Sequence, residues 1–256
     1  NNSDDLNAVP EFVNLSPNSN VQYNNAKEIR QAEYGNLSLT STGHYTFPSG
    51  DLTINGNLST ANGSAIKGAA GNTTRLNIGG NISAAGTPAD LNPLNTVDVR
   101  FTGNGNHTIT AGSRLDLFRI SKTGAGQISL ESATPGVPTT LNLGSTAGGG
   151  LSLPSGVEFN IGNNNVSVIE SGTINASGET GVLASNNGKL SLTSSSSSSS
   201  YLYFKPGAAT LHTLTQQLTG SGKLYAGNQF RISDGLKIRA GDLYSQGNVV
   251  LLSTSE

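Results

Sequence analysis

The feature that most limits what this chain can fold into is a recurrence. LTINGN begins at Leu52, LNIGGN at Leu76 and FTGNGN at Phe101, at offsets of 24 and 25 residues. A period in that range marks stacked units, each too small to bury its apolar side alone. Within each interval lie two or three short runs that alternate apolar and polar residues, as Val97, Val99 and Phe101 alternate with Asp98 and Arg100. Such period-two alternation belongs to strands with one buried face. No helical pattern separates the runs, so the crossover helices of an ordinary parallel sheet are not expected. One interval therefore reads as one coil of a parallel β-helix, right-handed by the general rule for parallel crossovers. A β-sandwich is the alternative, with Asn55-Gly56 and Asn62-Gly63 as its hairpin turns.

The best-defined stretch runs from Val97 to Lys122. After the GNGN turn, Leu115 and Leu117 repeat the alternation with Asp116 facing outward. Phe118 and Ile120 continue it with the parity shifted by one, as a β-bulge would produce. Asn57, Asn81 and Asn106 close the three related hexamers. If their turns stack, their amides are placed to hydrogen-bond from one coil to the next.

Residues 1–35 follow a different grammar and contain the one helix-like piece, Asn24 to Ala32. They are expected to cap the open end of the stack, with β-helix repeats over residues 36–256. The seven serines Ser194 to Ser200 read first as a loop. The continuous apolar strand at Val249 to Leu252 would leave an open edge, so further coils are expected to follow it. Methionine is absent even at position 1, which suits a mature or excised piece of a longer protein.

Composition narrows the function classes. A net charge of −2 with 12% charged residues provides no basic field, so nucleic acid is not an expected partner. Cysteine is absent, which removes disulfides and thiolate chemistry. No apolar run approaches the roughly 20 residues needed to cross a bilayer as a helix, so this segment is not expected to insert into a membrane.

LTINGNLS at Leu52, LNIGGNIS at Leu76 and FTGNGNHTITAG with LDLFRISKTGAGQISL, ending at Leu130, resemble the large repetitive cell-surface proteins of the Bacteroidetes. These are adhesin-like chains, some of them associated with gliding motility. GNVVLLST near the end fits the same pattern. SGTINASGETGVLASNNGKLSL, from Ser171 to Leu192, is also similar to filamentous-haemagglutinin-like adhesins. The secretion domain of that second family carries an Asn-Pro-Asn motif, where this chain has Asn92-Pro93-Leu94. The resemblance implies a secreted or surface-displayed bacterial β-solenoid. It would act as a stiff stalk or adhesive module contacting extracellular glycans or other surface proteins, and it supplies no catalytic motif.

The alternative is a polysaccharide lyase or glycoside hydrolase on one β-helix face, which needs carboxylates and basic groups side by side. The candidates are Asp98, Arg100 and Asp116, with Arg119 and Glu131 nearby; otherwise these charges form a solvated outer face. An aromatic-lined cleft would favour such an enzyme, and Tyr201, Tyr203 and Phe204 form the densest aromatic group. His44, His107 and His212 lie far apart, in no metal-binding frame, and are expected at the surface. No cofactor is expected beyond a structural calcium, for which the carboxylates leave room.

Overall fold

The structure is a computed structural model and describes residues 16, 19–25, 28–61, 64–69, 73–84, 97–146, 148–178 and 180–252. Every pairing between its strands is parallel, and among the described residues there is no helix. The fold is a parallel β-solenoid, and the β-sandwich is excluded.

Each coil passes through three faces. Face A is a ten-stranded sheet running through Glu33–Tyr34, Gly50–Ile54, Thr74–Ile78, Val97–Phe101, Arg119–Lys122, Gly150–Leu153, Thr173–Ala176, Ser200–Leu202, Leu224–Ala226 and Leu243–Tyr244. At about 4.8 Å per step these strands span about 43 Å. Face B follows it with strands such as Leu58–Thr60, Ile82–Ala84, His107–Ala111 and Val157–Gly162. Face C holds Arg114–Leu117, Thr140–Leu143 and Asn165–Glu170. Farther along, Val182–Ser194, Phe204–Leu218 and Phe230–Ala240 run through both B and C, which joins those faces in one 14-stranded sheet.

The core is a set of axial rows. On face A, Leu52, Leu76, Val99, Ile120, Leu151 and Ile174 pair in register from coil to coil, each at most 2% exposed. Beside them run Ile54, Ile78, Phe101 and Lys122. Burying one branched side chain per strand stabilises each unit only when its neighbours are present, which makes the rod cooperative along its axis.

The register corrects the sequence period. Leu52 pairs with Leu76, as the 24-residue offset requires, but Leu76 pairs with Val99 and not with Phe101. Phe101 belongs to the row of Ile54 and Ile78. The third hexamer is a look-alike whose corner is longer: Ile82 follows Ile78 by four residues, whereas their partners Phe101 and Ile109 are eight apart. Coils are therefore unequal in length, the longest of those on face A running from Ile120 to its partner Leu151.

Three local expectations also change. Phe118 is no bulge; it is the corner between Arg114–Leu117 on face C and Arg119–Lys122 on face A, so the parity shift is a change of sheet. Its ring lies where a Cβ on Gly149 would come within 2.8 Å, and Gly149 has φ +99°. The expected helix over Asn24 to Ala32 is absent from the described residues of that stretch, where Glu28 makes a parallel bridge to Thr46. Asn20–Tyr23 and Glu33–Tyr34 already belong to solenoid sheets. Residues 1–15, Asn62-Gly63 and Asn92-Pro93-Leu94 lie outside the described residues.

The serine run is a hydrogen-bonded corner. Ser194 Oγ donates to the Gly172 carbonyl at 2.8 Å, Ser200 Oγ accepts from the Ile174 amide at 3.0 Å, and Ser199 Oγ accepts from the Lys223 amide at 3.2 Å.

Candidate functional site

Face A carries two outward rows. The first is Asp51, Arg75, Asp98 and Arg119, in register on four successive coils. Arg75 donates to Asp51 at 3.2 Å and, through Nε, to Asp98 at 3.3 Å. Arg119 holds Asp98 with two bonds, Nε to Oδ1 at 3.1 Å and Nη2 to Oδ2 at 2.5 Å. The Asp98 hydrogen bonds raise the pKa of Arg119, while partial burial opposes them. Asp98 is 0% exposed although its strand position faces outward, because its neighbours cover it. The row alternates in sign and cancels its own charge.

Asp116 is also covered, at 6% exposure, but on face C. It accepts from Arg114 Nε at 2.9 Å and from Asn142 Nδ2 at 2.6 Å. The expectation of solvated outer charges therefore fails for both aspartates. Arg100 stands in the second row of face A, in register with Asn77 and Ser121, and has no ion-pair partner among the described residues. Glu131 lies exposed on face B. Of the five candidates, the fold brings Asp98, Arg100 and Arg119 to one face and sends Asp116 and Glu131 to two others. The two aspartates that a hydrolytic pair would use do not share a sheet face.

The aromatic group divides as well. Phe204 turns inward and its ring lies 4.8 Å from that of Phe230. Tyr203 covers Gly227, where any Cβ would fall within 2.5 Å of its ring atoms. Only Tyr201 joins the second outward row, and it continues a ladder that the sequence did not suggest. Tyr201 and Tyr225 stack with centroids 5.0 Å apart at 9°, and Tyr225 stacks on Tyr244 at 5.0 Å and 25°. Lys223 Nζ donates to the Tyr244 hydroxyl at 2.8 Å and lies 4.7 Å from its ring centroid. These rings are far apart in sequence, and only knowledge of the register aligns them.

Lys122 and His107, neither foreseen, also sit inside the solenoid. Lys122, 2% exposed, occupies an inward position below Phe101 and donates to the Gly103 carbonyl at 2.5 Å; burial lowers its pKa. His107, expected at the surface, is 4% exposed with its ring 4.8 Å from that of Phe101. Its Nδ1 lies 2.8 Å from the Gly80 carbonyl and must carry the proton to bond it. Burial pushes the His107 pKa down, the charge on Lys122 adds to the effect, and the Gly80 carbonyl partly opposes it. His212 approaches Asp234 at 3.6 Å, and His44 is exposed. Among the described residues, no three His, Asp or Glu side chains converge as a metal site would require.

Comparison with protein-family models, with curated proteins and with solved structures returned no match.

Proposed function

We propose that this chain is a stiff structural and adhesive segment of a secreted or surface-displayed bacterial protein, contacting extracellular glycans or other surface proteins along its length. The observation that carries this reading is the axial continuity of face A: ten strands whose backbone groups pair with the next coil, beneath outward charges that neutralise one another. Such a sheet resists bending because tilting one coil against the next breaks several parallel hydrogen bonds together. Asp98 supports a structural role for its row, since both of its oxygens are engaged by arginines.

The competing reading, a polysaccharide lyase or hydrolase around Asp98, Arg100 and Asp116, makes a different prediction. The test is release of new chain ends from neutral and acidic polysaccharides at high protein concentration, with and without calcium. The structural reading predicts none. Turnover that disappears in Asp98→Asn and in Asp116→Asn, with both variants still melting cooperatively, would overturn it.

A further inference from the structure

The charged and aromatic parts of face A are separated by a gap in its relief. Beyond Arg119 the first outward row shrinks to Gly150 and Thr173, and the second to Ser152 and Asn175. Here the surface sinks into an open trough of about 570 Å³, with Arg119 at one end and the Ser195 to Ser198 corner along one side. Leu151 lies at its floor, itself buried. Among the described residues no carboxylate lines it, and the one charged group that does is already committed to Asp98. The remaining lining is hydroxyl, amide and backbone.

The next residue in the second row past Asn175 is Tyr201. Within a stack each ring spends a face on its neighbour, so Tyr225, held between two rings, has none left. Tyr201 begins the ladder: one face meets Tyr225 and the other looks back along the axis toward the coil of Asn175. It is 39% exposed. A neutral hydroxyl- and amide-lined trough with an exposed phenol one coil beyond its Asn175 matches a pyranose, which offers an apolar C–H face and a ring of hydroxyls.

We propose that the trough between Arg119 and the coil of Tyr201 binds a neutral glycan, with one pyranose ring stacked on the free face of Tyr201 and its hydroxyls bonded by Asn175, Thr173 and Ser152. The proposal rests on the reading of the protein as glycan-contacting and names where and what it contacts. An anionic glycan is disfavoured because Arg119, the one cation among the described lining residues, is neutralised by Asp98.

The test is titration of the whole ¹⁵N-labelled chain with hexasaccharides of β-1,4-glucan, α-1,4-glucan, β-1,4-mannan and β-1,4-xylan, alongside oligogalacturonate and a polyglutamate peptide. At least one neutral hexasaccharide should shift the amides of Thr173, Asn175 and Tyr201. Asn175→Tyr extends the tyrosine ladder by one coil, fills the trough and covers the free face of Tyr201. It should weaken that binding at least tenfold while leaving the melting temperature unchanged. Tyr201→Ala should weaken it similarly. The site is refuted if no neutral hexasaccharide shifts those amides, if Asn175→Tyr binds as the parent does, or if only the acidic probes bind. Failure of the broader adhesive reading is read separately, as release of chain ends from polysaccharide.

Discussion

At the scale of single residues, the alternation that defines each strand tells which positions face inward, but not that a polar group occupies one of them. Lys122 and His107 both take core positions under the corner that follows Phe101. A lysine and a histidine in an alternating run look like outward residues, and the longer third corner that moves the register is invisible without the coil above it. The same blindness covers Asp98, whose outward placement was legible while its complete burial between Arg75 and Arg119 was not. His107 makes a pH prediction. Its folded-state pKa lies below the ordinary 6.5, so below about pH 6.5 the unfolded chain binds a proton that the folded chain refuses. Its contribution is therefore intact above that pH and is lost as pH falls toward the folded value, at up to about 1.4 kcal/mol per pH unit. Denaturant titrations between pH 7.5 and pH 5.5 should show a smaller loss in His107→Leu than in the parent. An equal loss would place the effect elsewhere.

At the scale of the coil corner, the Asn-Gly punctuation was legible as turns, and its asparagines do bridge coils as expected. Asn36 Oδ1 accepts from the Asn57 amide at 2.8 Å, Asn57 Oδ1 from the Asn81 amide at 2.8 Å, and Asn106 Oδ1 from the Gln127 amide at 3.0 Å. Asn81 keeps the same rung geometry, but the residue above it is Thr108 and not Asn106, because the corner above it is longer. The glycines beside them are there for space. A Cβ on Gly80 would lie 2.4 Å from Asn57 Oδ1 and 2.7 Å from the Gly56 carbonyl, whereas Gly105 has nothing within 4 Å. Gly80→Ala should cost about 1–3 kcal/mol by forcing two coils apart. Gly105→Ala should stay within about 0.5 kcal/mol, as open surface positions do. Equal denaturation midpoints for the two variants would show that close stacking at this corner is not what selects glycine.

At the scale of the whole molecule, the class of fold was legible because each strand repeats one local rule. The unequal coils were not, since corner length is set by side chains that meet only after stacking. The assembled sheet also creates what no single coil contains: a self-neutralising charge row, a tyrosine ladder and the trough between them. A stiff spacer requires face A to be one uninterrupted axial ladder, and away from its ends two joints are the thinnest. Arg119–Lys122 meets Gly150–Leu153 through two register pairs, and Thr173–Ala176 meets Ser200–Leu202 through one. Amide hydrogen exchange, resolved strand by strand, tests this most directly. A stiff spacer predicts slow exchange running without a break from Gly50–Ile54 to Leu224–Ala226, fastest only toward the ends. Rapid exchange confined to either thin joint, with protected coils on both sides, would reveal a hinge and contradict a rigid rod.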